Sequence, residues 1–146
     1  MSSPSFDGTI DLALRPSMRA LQWLFALHVV PVALLPFAMN PGAPLMLLVG
    51  AFGLSWLWLR RHPAFGFGKR AVQRLTWHAD GTWLVQDAEG RKSEAELRPN
   101  SYVHMRLLVL NFKLKSGGRR TRVLLGDELE QELLRRLRAR LLHASS

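Results

Sequence analysis

The sequence predicts a membrane protein of the α+β class, in which a two-helix transmembrane hairpin is followed by a small antiparallel β-sheet of about five strands and a C-terminal helix that closes the sheet. Three observations lead to this fold. Residues 20–59 contain no Asp, Glu, Lys or Arg. Short segments of alternating polarity begin at residue 71, and a leucine repeat of helical period follows from residue 127. The 146 residues therefore form two parts that suit different solvents.

Nearly all of the charge lies in the C-terminal part. Residues 60–146 hold 18 of the 20 basic residues and 9 of the 11 acidic residues, which gives this part a net charge of +9. The chain has no cysteine, so a disulfide framework, a thiol nucleophile and a cysteine-ligated metal site are excluded. A basic part beside a membrane favours acidic proteins or anionic lipid as partners.

Two apolar helices are expected in the uncharged region. Residues 20–39 are rich in Leu, Val and Phe, each of which favours insertion at a helix centre. Membrane helices tolerate residues such as Pro31 and Pro36, and a kink near Pro31 is expected. Residues 43–59 supply a second helix, whose length of about 25 Å is near the lower limit for a span. The short turn between the two helices predicts an antiparallel hairpin.

The basic residues around the hairpin predict its orientation. They precede the first helix and follow the second, whereas the turn between the helices is uncharged. The positive-inside rule therefore places both termini in the cytoplasm. Because indole rings prefer the headgroup layer, the expected membrane-interface residues are Trp23, Trp56, Trp58, Arg60 and Arg61. The chain then divides into an N-terminal cytoplasmic segment 1–19, the hairpin 20–59, a basic juxtamembrane linker 60–70, and a cytoplasmic β domain with its helix, 71–146.

Two other interpretations of the apolar region fit less well. A cleaved signal peptide would have a shorter apolar core and no second apolar run behind it. A buried hairpin of a soluble protein would carry polar residues on an outward face. His28 has no carboxylate partner in either helix, so a neutral packed histidine is favoured over a functional intramembrane group.

The segments from residue 71 onward alternate between strands and turns. Two strands flank Asp80 and Gly81, and Glu89 and Gly90 mark a second turn before a third strand. A longer connection containing Pro99 follows. The apolar residues of the next strand share one face; they are Leu108, Leu110, Phe112 and Leu114. The expected product is an antiparallel meander with one wet, basic face.

The C-terminal segment changes to helical period. Asp127 can cap the helix, with Glu130 three residues later. A leucine stripe is expected to cover the sheet, formed by Leu129, Leu133, Leu134, Leu137, Leu141 and Leu142. The candidate partner-binding residues are Tyr102 in the long connection and four arginines beside the stripe, Arg135, Arg136, Arg138 and Arg140. A solvated helix face is the simpler interpretation of these arginines, and contact with an acidic partner or anionic lipid is the alternative.

The sequence contains no recognisable catalytic, metal or cofactor motif. The FGFGKR stretch is not a phosphate loop, because Pro63 stands where its first glycine is needed. The five histidines lack metal-ligand spacing, and Asp80 and Asp87 are explained as turn residues. We therefore expect no enzyme activity, no cofactor and no metal ion. Nucleic-acid binding is not favoured, because Trp77 and Trp83 are expected in the core.

The order of several short motifs resembles the YgfX/CptA family, the membrane-bound toxin component of a bacterial toxin–antitoxin system. The motifs are LRPSMRAL, AVQRLTWHADGTW, AELRPNSYV, LVLNF, VLLGD and LLRRLRARL, with the uncharged hairpin between the first and the second. The resemblance covers nearly the whole chain, from about residue 12 to residue 142. One departure is that Leu133 and Leu134 stand where the family pattern has an aromatic residue before the double arginine.

The resemblance implies a multi-pass protein of the bacterial inner (cytoplasmic) membrane that inhibits the cytoskeletal and division proteins FtsZ and MreB. Its companion would be a small soluble antitoxin of the YgfY/SdhE type. The family supplies no catalytic residues, so inhibition would be stoichiometric. A second hypothesis is a membrane scaffold or assembly factor that docks this companion for the maturation of succinate dehydrogenase.

Overall fold

The chain folds into two compact units. The computed structural model describes residues 8–144. Residues 18–62 form a helical unit, and residues 8–17 together with residues 63–144 form a unit of sheet and helix, here called the β unit. The strands are β1 (Ile10–Ala13), β2 (Val72–Trp77), β3 (Trp83–Asp87), β4 (Lys92–Leu97), β5 (Tyr102–Val103), β6 (Leu108–Leu114) and β7 (Arg119–Leu124). The helices are α1 (Met18–Ala38), α2 (Ala43–Leu59) and α3 (Gln131–Ala144), with a short 3₁₀ helix at Pro63–Phe65.

The helices α1 and α2 are antiparallel neighbours within the helical unit. The rings of Phe25 and Trp56 lie 5.6 Å apart, and His28, about one turn further along α1, contacts Ser55. Large apolar side chains on both helices are exposed, with Phe37 at 89 %. Such an apolar surface is typical of a helix that a membrane or another protein covers.

Within residues 8–144, only α1 has the length and apolar character of a clear membrane span. It contains 21 residues, whereas α2 contains 17. These lengths correspond to about 31 Å and 25 Å, against a hydrocarbon core of about 30 Å. The structure therefore corrects the prediction of a two-helix transmembrane hairpin to one clear span. The physical reason is that α2 begins only after Gly42 and is followed directly by Arg60.

The β unit is built on one curled antiparallel sheet. The first four strands are neighbours in chain order, β6 lies beside β4, and β7 pairs with β6 along its length. The short β5 occupies the part of the β6 edge that β4 leaves uncovered. The outer strands are therefore β1 and β7, and β7 approaches β2 as the sheet curls.

The sheet has seven strands in the part of the chain that the structure describes, so the prediction of about five is wrong. The sequence-based assignment missed β1, which lies in the predicted cytoplasmic segment 1–19, and β5, which lies in the predicted long connection. β1 pairs with β2 in the register Leu12 to Leu75, and a partner so distant in the chain leaves no local turn signal. The first turn is also longer than two residues, because β2 ends at Trp77 and β3 begins at Trp83.

One face of the sheet carries the core. The residues of β6 that were predicted to share one face are buried; they are Leu108, Leu110, Phe112 and Leu114. Trp77 and Trp83 stack with 4.5 Å between their ring centres, and Trp83 also contacts Phe112. The prediction that these two indoles are core residues is therefore confirmed.

The helix α3 closes this core, as predicted. Three of its leucines belong to the same buried cluster as the sheet residues; they are Leu134, Leu137 and Leu141. Leu129 is also buried and Leu133 packs against the cluster. Leu142 was predicted to belong to the stripe, but it is 55 % exposed, whereas the adjacent Leu141 is buried, because successive residues of a helix point in different directions.

The start of α3 differs from the prediction of a helix capped by Asp127. The Asp127 carboxylate instead accepts a hydrogen bond from Ser17 Oγ (2.9 Å). The Glu128 carboxylate accepts a hydrogen bond from the Gly126 N–H (2.9 Å). The first helical hydrogen bond is accepted by the Glu130 carbonyl. The prediction is wrong because α3 begins only at Gln131, and the Asp127 carboxylate is bonded to Ser17 instead of to a helix N–H.

Candidate interaction surfaces

Two aspartates of the β unit stabilise turns, as predicted. The Asp80 carboxylate accepts hydrogen bonds from the N–H and the hydroxyl of Thr82 (3.0 and 2.7 Å). Asp87 accepts bonds from the Glu89 N–H and from the N–H and Nε of Arg91 (3.0–3.1 Å). Burial raises the pKa of Asp87, but these hydrogen bonds outweigh burial and leave the pKa below its ordinary value. Within residues 8–144, no three His, Asp or Glu side chains are grouped so that they could hold a metal ion.

Two of the four arginines predicted to bind a partner are exposed on α3. Arg135 and Arg136 both pair with Glu132 at 3.0 Å, and their side chains are 76 and 62 % exposed. Hydrogen bonds from Arg135 and then Arg136 lower the pKa of Glu132 to about 2. One carboxylate thus holds two guanidinium groups side by side. The pair keeps one excess positive charge and unused N–H donors that an acidic partner can accept from.

The other two arginines are folded into the β unit. The Arg140 guanidinium lies over the indole ring of Trp77, 4.2 Å from its centre. Its Nη1 donates to the Gly8 carbonyl (2.7 Å) and its Nη2 donates to the His78 carbonyl (3.2 Å). Arg138 is half-buried, and its Nε has no hydrogen-bond partner among the described residues. The structure therefore gives Arg140 a role in holding the β unit together.

Tyr102 lies beside the helix that carries the arginines. It belongs to β5, and β5 packs against α3. Its ring is exposed and lies parallel to the His104 ring, with 6.1 Å between the ring centres. Met105, in the loop that follows, is also exposed. The structure thus brings Tyr102 close to α3, although the two are distant in the chain.

A second basic surface lies on the outer face of β6 and β7. Lys113 and Arg119 are direct cross-strand neighbours, and both are exposed. Arg98 lines the same shallow groove. Like charges in adjacent strands repel each other. Glu96 on β4, the other cross-strand neighbour of Lys113, offsets part of this repulsion, and an acidic partner would offset the rest. Sequence reasoning indicated a basic face in general terms, but only the strand register shows which residues meet.

A buried arginine, Arg122, contacts the two chain segments that connect the β unit to the helices. It is fully buried, and its Nη2 donates to the Arg15 carbonyl. Its guanidinium lies against Gly66, where an added Cβ would come within 2.0 Å of Nη1. The Ser17 N–H donates to the Phe65 carbonyl (3.0 Å). The two connections therefore lie side by side in the β unit.

The Arg122 charge is compensated only in part. Burial lowers the pKa of its guanidinium, and the nearby carboxylates of Glu128 and Asp127 oppose this effect. Its Nε and Nη1 have no hydrogen-bond partner among the described residues. Sequence reasoning missed this residue because it stands in a run of arginines that looks exposed. Its strand parity with the buried Leu124 is the signal that could have identified it.

His28 is packed and hydrogen-bonded within the helical unit. Its Nδ1 lies 2.7 Å from the Leu24 carbonyl, and its Nε2 lies 3.1 Å from Ser55 Oγ. Its ring contacts those of Phe52 and Trp56. Both ring nitrogens thus have partners, as the interpretation of His28 as a packed residue requires. The contact with Ser55 links α1 to α2.

The expected membrane-interface residues lie at one end of the helical unit, where α1 begins and α2 ends. Trp23 and Trp58 are exposed, whereas Trp56 is partly covered by α1. Arg60 and Arg61 follow α2 and are exposed. Their contact with a membrane interface remains a prediction.

Comparison with known families identifies the class of the protein. The family model described as the membrane-bound toxin component of a toxin–antitoxin system matches residues 9–145. Because the match covers nearly the whole chain, the protein belongs to this family of CptA toxins, and the resemblance seen in the sequence is confirmed. No curated protein and no solved structure matches the chain. Membership implies association with a membrane and an antitoxin partner.

Proposed function

We propose that this protein is an inner-membrane toxin that binds and inhibits bacterial cytoskeletal and division proteins, of the FtsZ and MreB kind, from the cytoplasmic side. Family membership supports the toxin class and the membrane association. The choice of surface rests on Arg135 and Arg136, which share the single carboxylate of Glu132 and remain exposed. Acidic proteins would be attracted by this charge, and charge-assisted hydrogen bonds would hold them.

Inhibition by this surface would be stoichiometric. Arginine side chains remain protonated at physiological pH, so they bind and orient a partner but do not exchange protons with it. In the described part of the chain, Asp80 and Asp87 are engaged in turns. A toxin of this kind needs no cofactor, because occupying the polymerising surface of a subunit is enough to block assembly.

We further propose a multi-pass topology with both termini in the cytoplasm, in which α2 crosses the membrane although it is shorter than a clear span. Since α1 and α2 are antiparallel, a chain that enters the bilayer with α1 can return with α2. The contact between Ser17 and Phe65 supports an exit and a return at one place. Local thinning of the bilayer or snorkelling of Arg60 would compensate for the shorter α2. The positive-inside rule then assigns the basic end to the cytoplasm.

The antitoxin would be a small soluble protein of the YgfY/SdhE type. The simplest way for such a protein to neutralise the toxin is to cover the surface that the target needs. The target and the antitoxin would then compete for one surface, which is formed by Arg135, Arg136 and Tyr102. Anionic lipid is the other partner that these arginines could meet at the membrane surface.

Two double variants with equal loss of charge test this function. Arg135→Gln with Arg136→Gln removes the α3 pair, whereas Lys113→Gln with Arg119→Gln removes the basic pair of the sheet. Both lie in the β unit, so membrane insertion should be unchanged. At equal membrane abundance, we expect the α3 variant to lose growth inhibition and filamentation on overexpression, and the sheet variant to keep both effects.

Undiminished inhibition by the α3 variant, together with undiminished capture of the antitoxin, would show that these arginines are only a solvated helix face. Loss of inhibition in the sheet variant alone would move the binding surface to β6 and β7. If the α3 variant lost capture of the antitoxin but remained toxic, the scaffold hypothesis would account better for this surface. Arg140 is left unchanged in these variants, because its contacts with Trp77 make it part of the fold.

A further inference from the structure

The outer edge of β1 carries unused backbone groups. The Leu14 N–H donates to the Gln73 carbonyl (2.7 Å), and β1 is antiparallel to β2. Hydrogen-bonded residues alternate along such a pair, so Leu12 and Leu14 bond toward β2. The peptide groups of Asp11 and Ala13 therefore point away from β2. Within residues 8–144, no strand pairs with this edge.

A groove of about 690 Å³ runs along this edge. Its far wall is the segment 127–130 together with Leu133. The Arg15 N–H, which is the next outward-facing group after Ala13, donates to the Glu128 carbonyl (3.1 Å). The backbone before α3 thus already occupies the position of a neighbouring strand at one end of the edge, and the rest of the edge opens into the groove.

The lining of the groove is acidic around a small apolar floor. It includes four carboxylates against a single arginine, Arg15; these are Asp11, Asp127, Glu128 and Glu130. Asp11 is neutralised by its ion pair with Arg74, and Asp127 and Glu128 lie near the buried Arg122, so the excess negative charge is carried by Glu130. Glu130 is exposed and makes no ion pair within residues 8–144. Leu129 and Leu133 supply the apolar surface.

We propose that the edge of β1 binds an extended basic segment of a partner protein as an added strand. The outward peptide groups of Asp11 and Ala13 supply the backbone hydrogen bonds, as in other cases of strand addition. Alternate side chains of the added strand would lie over Leu133 and beside Glu130, so the segment should alternate apolar residues with Lys or Arg. This surface is independent of the proposed role of the α3 arginines.

A second copy of the chain fits this edge less well. Antiparallel self-pairing about Leu12 would place Asp11 of each copy opposite Ala13 of the other, so the two Asp11 carboxylates would be diagonal neighbours on the paired strands, and like charges in adjacent strands are destabilising. β1 also contains no Lys or Arg that could lie beside Glu130. A basic segment from another protein complements both features.

A fluorescein-labelled heptapeptide of alternating Val and Lys is a suitable probe, with an alternating Val and Glu heptapeptide as its charge control. Binding to the full-length protein in neutral detergent micelles is measured by fluorescence anisotropy. Ala13→Pro removes an outward N–H but no bond to β2, and proline is tolerated at such an edge position. We expect saturable binding of the Lys peptide that Ala13→Pro weakens by about tenfold or more.

Charge is tested by a matched pair of variants. Glu130→Gln should weaken binding of the Lys peptide by about threefold, as expected for an exposed ion pair, while Glu96→Gln on β4 should bind like the parent. The Glu peptide should bind much more weakly than the Lys peptide. Equal binding of the two peptides, or equal effects of the two variants, would overturn the proposed basic ligand.

Hydrogen exchange keeps the proposal testable if Ala13→Pro fails to fold. In the parent, saturating Lys peptide should slow exchange of the Asp11 and Ala13 amides. Unchanged exchange at both amides would overturn strand addition, as would equal peptide affinity in a folded Ala13→Pro variant. A dimer that forms without peptide and that Ala13→Pro dissolves would show that a second copy occupies the edge, and this result would also overturn the proposal.

Discussion

The guanidinium of Arg140 lies 4.2 Å from the centre of the Trp77 ring. The same side chain donates to the Gly8 carbonyl before β1 and to the His78 carbonyl after β2. In the sequence, Arg140 is one more charge on a basic helix. In the structure, it connects the last turns of α3 to β1 and β2. This contact separates the structural arginines of α3 from the exposed pair.

Arg140→Ala should destabilise the β unit by roughly 1–3 kcal/mol, because it removes a cation–π contact and two hydrogen bonds to carbonyl groups. Hydrogen exchange of the β2 and β3 amides in the full-length protein measures the effect. Arg135→Ala is the control, since its ion pair is exposed and should contribute little. Equal exchange in the two variants would contradict the structural role of Arg140.

Gly66→Ala should be strongly destabilising for two reasons. The φ angle of Gly66 is 94°, and an added Cβ would come within 2.0 Å of Arg122 Nη1. Gly81→Ala is a matched control, because Gly81 has a φ of 88° but open space around the Cβ position. We expect a loss of about 1 kcal/mol for Gly81→Ala and a clearly larger loss for Gly66→Ala, measured by thermal unfolding. Equal losses would show that Arg122 moves aside freely.

Leu137→Asp should disrupt the closure of the sheet by α3. Leu137 is fully buried, so an unpaired carboxylate there should cost several kcal/mol, on the order of 3–5. Leu142→Asp, on the same helix at an exposed position, should change stability by about 0.5 kcal/mol or less. The two variants are compared by hydrogen exchange of the β6 amides. Parent-like protection in Leu137→Asp would mean that α3 is not part of the cooperative unit.

Asp87 should make the β unit sensitive to acid. The pKa of Asp87 in the folded state is below its ordinary value. Burial alone would raise this pKa, but the hydrogen bonds of the turn, led by the Arg91 N–H, lower it by more than burial raises it. A depressed pKa contributes stability that is present above the unfolded value of about 3.9 and is lost as the pH falls through the folded value. Asp87→Asn removes this contribution.

The measurement is the difference in unfolding free energy between the parent and Asp87→Asn as a function of pH. The parent should be the more stable protein at pH 7, and the difference should shrink as the pH falls below about 4. A difference that stays constant with pH would show that the Asp87 charge does not contribute.

Elements with a local signal were predictable from the sequence. The period-2 pattern of β6 correctly placed Phe112 in the core, and the leucine period of α3 correctly placed Leu137. The charge-free stretch identified the apolar helices. These predictions succeeded because each depends on neighbours a few residues away, whose spacing is fixed by helix or strand geometry.

Features that depend on distant residues were not predictable in this way. The pairing of β1 with β2, in which Leu12 lies opposite Leu75, joins residues far apart in the chain. No turn sequence between the two strands indicates it. Asp127 has the pattern of a helix cap, yet Ser17 binds its carboxylate. Among the candidate site residues, the sequence could not distinguish the exposed Arg136 from the structural Arg140. Only the fold shows that a tryptophan ring and two carbonyl groups lie within reach of Arg140.

The central claim, that the exposed arginines of α3 face a cytoskeletal partner in the cytoplasm, is tested most directly by photo-crosslinking in living bacteria. A photoreactive amino acid replaces Arg136 in the full-length protein at low expression, and Lys113 is replaced in a matched control. Mass spectrometry identifies the adducts. The account predicts an adduct with FtsZ or MreB from position 136 and none from position 113. Adducts with lipid or with the antitoxin alone, or no cytoplasmic protein adduct from position 136, would contradict it.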